Sequence, residues 1–134
     1  KNDLDGCLAY NQQAVDARDD FAQGYANIGF VHLQKGNVEE AIAALEKAVG
    51  IHPEFLQAYT NLGSAYLMRG QVEDSIAANE KALSIEPAFA VAHNNLAIAY
   101  LEKGNVARAA EHCEKAEKLG YEVAPEIKKE LETY

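Results

Sequence analysis

The sequence repeats itself with a period of 34 residues, and this repetition constrains the fold more than any other feature. Glycine recurs at positions 36, 70 and 104, and an apolar residue recurs at Ile28, Leu62 and Leu96. Small residues recur at positions 41, 75 and 109, and again at 48, 82 and 116. A fixed period that holds so many positions in one frame indicates a repeat architecture, in which each unit buries its apolar face against its neighbours.

Each period is typical of two helices joined by a tight turn. In the central unit the turn falls at Gly70-Gln71, and Pro87 ends the second helix. A basic residue, such as Arg69, precedes each turn glycine, where it complements the carbonyl end of a helix. The glycine itself is expected to adopt the left-handed conformation. The pattern therefore predicts helices over 22–35 and 38–51, with the same plan in the next two units.

The spacing of residues within each unit resembles the pattern of a known repeat family. The central unit has an aromatic residue, Leu-Gly, a second aromatic residue, two small residues and a final proline: Tyr59, Leu62, Gly63, Tyr66, Ser75, Ala82 and Pro87. This pattern resembles the tetratricopeptide repeat over about 21–119, with His93 and Ala97 as departures in the third unit. The resemblance implies an all-α, right-handed α-solenoid of helix-turn-helix units.

We expect a single domain whose parts follow the repeat. A capping helix with a polar face is expected at the C-terminal end. Because Lys1 is not a methionine, we expect a fragment without its native N-terminus. The helix expected over 1–20 would lack its partner helix, and its uncovered apolar end favours self-association. The expected parts are the second helix of a truncated repeat (1–20), repeat 1 (22–55), repeat 2 (56–89), repeat 3 (90–121) and the capping helix (122–134).

Composition narrows the class of partner. The net charge of −9 argues against nucleic acid and anionic membranes, since both require clustered Lys and Arg. No apolar run approaches the ~18 residues of a membrane span, and no signal peptide is evident. Two cysteines cannot form a disulfide framework, and they suit a reducing compartment. We therefore expect a soluble, cytoplasmic protein with a protein or peptide as its partner.

No motif of catalysis or cofactor binding is present. The histidines, His32, His52, His93 and His112, show no ligand spacing on one helix face, and His32 and His93 stand where the repeat has aromatic residues. Paired acids such as Glu39-Glu40 recur with the repeat and lie in the first turn of a helix, which explains them without catalysis. We predict a protein that is not an enzyme and has no metal and no cofactor.

The resemblance also implies a concave groove lined by the first helix of each repeat. Asn27, Asn61 and Asn95 recur there, and an amide has a donor and an acceptor that suit a peptide backbone. The groove is nearly uncharged, so we expect a neutral or basic, partly apolar segment of a partner. The predicted partner-binding residues are Gln23, Asn27, Phe30, Gln34, Gln57, Thr60, Asn61, Ser64, Met68, Val91, Asn94, Asn95, Ile98 and Glu102.

One subfamily, the heat-shock co-chaperones, clamps an acidic C-terminal peptide with lysine, arginine and asparagine. The matching positions here include Ala26, Phe30 and Val91, and of the clamp residues only Asn61 agrees. The resemblance therefore does not extend to that clamp. Three readings stay open beside groove binding: a partner on the acidic outer face, a non-catalytic domain of a larger enzyme (similar arrays precede the sugar-transfer domain of O-GlcNAc transferases), and a self-assembling structural module.

Overall fold

A computed structural model describes residues 21–133, and this part of the chain is a row of helices joined by short turns. No strand occurs between residues 21 and 133. The helices are α1 (Ala22–Lys35), α2 (Val38–Ile51), α3 (Leu56–Met68), α4 (Val72–Ile85), α5 (Ala90–Lys103), α6 (Val106–Lys118) and α7 (Pro125–Glu132). The predicted all-α helix-turn-helix solenoid is confirmed, while the predicted helix in 1–20 lies outside the described residues.

The turn inside each helix pair depends on the repeated glycine. Gly36, Gly70 and Gly104 have φ values of 82°, 80° and 87°, in the left-handed region that disfavours a side chain. The amide after each glycine returns to a carbonyl near the helix end; for example, Gln71 N donates to the oxygen of Tyr66 at 2.8 Å. This hydrogen bond closes a Schellman turn and reverses the chain, as the sequence predicted.

The two helices of a pair approach closely at a second glycine position. A Cβ atom added to Gly29 of α1 would lie 2.5 Å from Cγ of Leu45 on α2. The same addition to Gly63 of α3 would overlap the side-chain amide of Asn79 on α4. Such distances are shorter than van der Waals contact, so the helices can pack at this separation only because these positions have no side chain.

The third pair solves the same packing problem with other residues. Ala97 of α5 replaces the glycine, and Cys113 of α6 replaces the bulkier Leu45 and Asn79. Both residues are buried in one cluster, with Ala97 fully buried. The extra methyl group on one helix is therefore offset by a smaller side chain on the other, which explains a departure from the repeat pattern.

Neighbouring repeats are joined by hydrogen bonds that recur in the repeat register. The hydroxyl of Tyr66 on α3 donates to Oε2 of Glu46 on α2 at 2.5 Å, and that of Tyr100 on α5 donates to Oε2 of Glu80 on α4 at 3.2 Å. Burial, together with the Glu46 carboxylate, raises the pKa of Tyr66. Both phenols therefore stay protonated as donors near neutral pH.

Ion pairs follow the same register on the surface. Arg69 Nη1 lies 3.0 Å from Glu39 Oε1, and Lys103 Nζ lies 2.8 Å from Glu73 Oε2. Each pair joins the end of a first helix to the start of the second helix of the preceding repeat. Exposed pairs of this kind contribute ~0–1 kcal/mol, so they orient the helices more than they stabilise them.

The last helix, α7, covers the apolar end of the third repeat. Ile127 and Leu131 are half-buried against a cluster that contains Cys113, and Val123 before the helix is buried. No residue of α7 itself is fully buried. The helix is therefore a thin cover whose other side remains polar, as terminal units of a solenoid require.

We predict that Gly29→Ala and Leu45→Cys are coupled, because together they copy the Ala97–Cys113 pair. Gly29→Ala alone should lower the free energy of unfolding by ~1–3 kcal/mol through overpacking. The double variant should lose less than the sum of the single losses in urea unfolding. Gly50→Ala is the matched control, since nothing lies within 4 Å of its added Cβ, and it should not destabilise. Strict additivity would contradict this account of the helix contact.

We also predict that the C-terminal cover stabilises the third repeat. Removal of 122–134 should lower the melting temperature, because Ile127 and Leu131 each contribute about 1 kcal/mol when half-buried. It should also expose Cys113, whose pKa is raised by burial, and so increase thiol labelling at that residue in mass spectrometry. Glu126→Ala is the control, since its side chain is exposed. Unchanged melting and labelling would show that α7 is not docked.

Candidate functional site

The first helices α1, α3 and α5 form one surface, called the groove below, and its larger depression lies between α1 and α3. This phenylalanine hollow has a volume of about 390 Å³ and takes its name from Phe30, Phe55 and Phe89 in its walls. Half of the predicted partner-binding residues line it: Gln23, Asn27, Phe30, Gln57, Thr60, Asn61 and Val91. The groove therefore brings residues of all three repeats to one depression.

A second depression, the methionine hollow, lies further along the groove between α3 and α5. It has a volume of about 290 Å³, and its walls include Gly63, Leu67 and Ser75. Four more of the predicted residues line it: Ser64, Met68, Asn95 and Ile98. Its walls are mainly apolar.

Three of the predicted residues line neither hollow. Gln34 and Glu102 are exposed near the ends of α1 and α5. Asn94 is buried in α5, and its Oδ1 has no hydrogen-bond partner among residues 21–133. The structure thus places these side chains away from the two depressions.

Two residues that the sequence analysis missed, Phe55 and Phe89, complete the phenylalanine hollow. Each stands at the residue before a first helix, and Phe21 occupies the same place before α1. The signal was present as a phenylalanine every 34 residues. Groove positions predicted from helix faces exclude this phenylalanine, because it precedes the helix.

Large apolar side chains are exposed beside both hollows. The exposed fraction is 47% for Phe30 and 56% for Met68. Exposed aromatic and thioether groups at the rim of a depression are typical of surfaces that bind other proteins. Both residues are among the predicted partner-binding residues.

The three repeated asparagines of the groove have different surroundings. Asn27 Oδ1 accepts from Gln23 Nε2 at 2.9 Å. Asn95 Nδ2 donates to the backbone oxygen of Thr60 at 3.3 Å and to Oδ1 of the buried Asn79 at 3.2 Å. The Asn61 amide makes no hydrogen bond to another residue in 21–133. Asn95 therefore ties α5 to α3 and α4, while Asn61 has both its donor and its acceptor available.

Neither hollow has a charged residue in its walls. Neutral walls provide no partner for a buried charge, so they favour apolar groups and neutral hydrogen-bonding groups. Over longer distances the net charge of −9 attracts basic segments and repels acidic ones.

Residues 21–133 contain no group of three or more His, Cys, Asp or Glu side chains close enough to hold a metal ion. His93 and His112, which the sequence analysis did not pair, meet across α5 and α6 with their Nδ1 atoms 2.9 Å apart. None of the helices between residues 21 and 133 is long and apolar enough to cross a membrane.

The sequence matches two family models, both described as tetratricopeptide repeat. One matches residues 8–55 and 28–90, and the other matches residues 78–111. These matches cover more than half of the chain, so the chain belongs to the tetratricopeptide repeat family. No curated protein matches it.

Solved structures of MamA have the same fold. A crystal structure of MamA protein is 27% identical with a TM-score of 0.80, covering 87% of this chain and 63% of that one. MamA 41-end from Desulfovibrio magneticus RS-1 gives the same identity and TM-score over 87% of this chain and 66% of that one. Another crystal structure of MamA is 26% identical with a TM-score of 0.77, covering 95% and 70%. The chain thus spans about two thirds of these neighbours. Its tetratricopeptide repeats support a general role as a scaffold for protein–protein interaction.

We predict that the two groove asparagines Asn95 and Asn61 contribute differently to the free energy of unfolding. Asn95→Ala should lower the free energy of unfolding by ~1–3 kcal/mol, because it leaves Oδ1 of buried Asn79 without its donor. Asn61→Ala, the matched control at the same repeat position, should leave urea unfolding unchanged. Equal losses for the two variants would contradict the hydrogen-bond assignment.

Proposed function

We propose that the chain binds an extended, neutral or basic, partly apolar segment of a partner protein along its groove. The observation that carries this proposal is the exposure of Phe30 and Met68 beside two uncharged hollows. When a partner covers an exposed apolar side chain, the free energy of the complex falls by ~25 cal/mol per Å² of apolar surface removed from water.

The hollows suit two apolar side chains of one segment. The phenylalanine hollow offers ring faces and edges from Phe30, Phe55 and Phe89, which favour an aromatic or branched aliphatic group. The methionine hollow offers flexible walls at Met68, which adapt to different shapes. A ligand that fills both is held at two separated points, and this restricts its direction along the groove.

The amides between the hollows suit the main chain of the ligand. Asn61 has a free donor and a free acceptor, and together they match the N–H and C=O of one extended residue. Asn95 has only its oxygen left, since its nitrogen is used inside the protein. Asn61 is therefore the residue whose loss should cost most in hydrogen bonding to a ligand.

The role is binding without chemistry of the protein's own. It requires no cofactor, no metal and no catalytic group. The repeat boundaries and the cytoplasmic location inferred from the sequence stay predictions.

We predict that short random peptides displayed on phage and selected on this protein will share one composition. Enriched peptides should have a net charge of zero or above and a bulky apolar residue. Measured by fluorescence anisotropy with a selected synthetic peptide, Phe30→Ala and Asn61→Ala should each weaken binding about ten- to hundredfold, or ~1–3 kcal/mol.

Glu40→Lys is the matched outer-face control. Glu40 is exposed on α2. It is preferred to Glu39 and Glu73 because charge reversal at either of those would break an ion pair. It should bind the peptide within about twofold of the unsubstituted protein, since only a long-range charge effect applies. Enrichment of acidic peptides, or loss of binding in Glu40→Lys with the groove variants unaffected, would move the partner to the outer face.

A further inference from the structure

The third repeat contains an exchange of side chains that introduces a histidine pair. In repeat 2 the Tyr59 hydroxyl donates to the backbone oxygen of Pro53 at 2.8 Å. One repeat later, Nε2 of His93 makes the matching contact with the oxygen of Pro87 at 3.0 Å. The imidazole thus replaces the phenol, and His112 stands on α6 where repeat 2 has Ala78.

The hydrogen bonds fix the protons of both rings. A carbonyl oxygen only accepts, so Nε2 of His93 carries a proton, and Nδ1 of the neutral ring is then an acceptor. The Nδ1 of His112 lies 2.9 Å from it and must donate. In neutral His112 the remaining nitrogen, Nε2, is therefore unprotonated.

The His112 side chain is buried. It is 6% exposed, its ring lies parallel to that of Tyr100 with centroids 5.7 Å apart, and its Nε2 has no hydrogen-bond partner among residues 21–133. Any arrangement that keeps both the Pro87 bond and the Nδ1–Nδ1 bond puts an added proton on this Nε2. There it would be a buried donor without an acceptor, which is costly.

The neighbouring charges also act against a second positive group. Arg108 and Lys115 on α6 disfavour protonation of His112, and only Glu111 on the same helix favours it. From α5 the ring faces His93 and the Tyr100 phenol, and that phenol donates to Glu80 of α4. Between residues 21 and 133, no carboxylate is hydrogen-bonded to His112, since its Nδ1 contacts His93 and its Nε2 has no partner.

We propose that the His93–His112 pair is an acid-sensitive joint, at which uptake of a proton breaks the pair and loosens the contact between α5 and α6. The joint is specific to repeat 3, because repeats 1 and 2 have tyrosine and alanine at these positions. Since α5 carries Val91, Asn95 and Ile98, acid would also alter both hollows. The proposal itself does not depend on what the groove binds.

The direction of the pH effect follows from linkage. Burial lowers the pKa of His112 from its ordinary value of 6.5 to about 4. The unfolded chain therefore binds more protons than the folded one between these values, so stability is full above pH 6.5 and falls as the pH drops toward 4. At pH 5 the ratio of folded to unfolded protein should be about 30-fold lower than at neutral pH from this group alone.

The variant His93→Tyr with His112→Ala tests the joint, because it copies the Tyr59–Ala78 pair of repeat 2. The unfolding constant is measured in urea at pH 7.5 and pH 5.0. Over this range the ratio of folded to unfolded protein should fall about 30-fold further in the unsubstituted protein than in the variant. His52→Gln, which removes an exposed histidine, is the control and should keep the full dependence. Equal pH dependence in all three proteins would overturn the proposal.

A measurement on the unsubstituted protein covers the case in which the double variant does not fold. Long-range ¹H–¹⁵N spectra of the histidine rings report both tautomer and charge. At pH 5.5 we expect a neutral His112 ring with its proton on Nδ1. A cationic His112 ring at that pH in the folded protein would overturn the proposal equally.

Discussion

The close contact between the two helices of each pair determines how the rest of the chain packs. At Gly29 and Gly63 the first helix lies so near the second that even a methyl group overlaps a side chain. This contact gives each unit its shape, and the next unit can bury the remaining apolar face only if that shape is kept. The third unit keeps it with a different pair, Ala97 and Cys113. The contact is thus a constraint on combined volume rather than on residue type.

The groove is a consequence of this stacking. Because the first helices α1, α3 and α5 lie side by side, their outward positions form one surface across three repeats. Hydrogen bonds such as that from Tyr66 to Glu46 keep neighbouring units in register, and Asn95 ties α5 to the repeat before it. The groove is therefore held in place by contacts between the repeats. On its surface Phe30 and Met68 are exposed, and the Asn61 side chain makes no hydrogen bond to another residue in 21–133.

Periodicity predicts the elements of this protein well and the details of its site less well. The helix pairs, the left-handed glycines and the all-α fold follow from local spacing, since each depends on residues within one unit. Phe55 and Phe89 were missed because they lie outside the helices. The engagement of Asn95 and the meeting of His93 with His112 depend on the distance between helices, which no single-helix pattern contains. A departure from the repeat, such as Ala97 in place of glycine, can be read from the sequence. The residue that offsets it, Cys113 on the facing helix, can be assigned only from the structure.

We propose that a partner segment lies in the groove, and the single methionine of the chain allows this to be tested directly. Met68 can be labelled with ¹³C at its methyl group, which gives one resonance at the rim of the methionine hollow. On titration with a peptide selected on this protein by phage display, we expect this resonance to shift to saturation with the same dissociation constant that anisotropy reports. A peptide that reaches saturation by anisotropy while the Met68 methyl resonance stays unchanged would contradict the account.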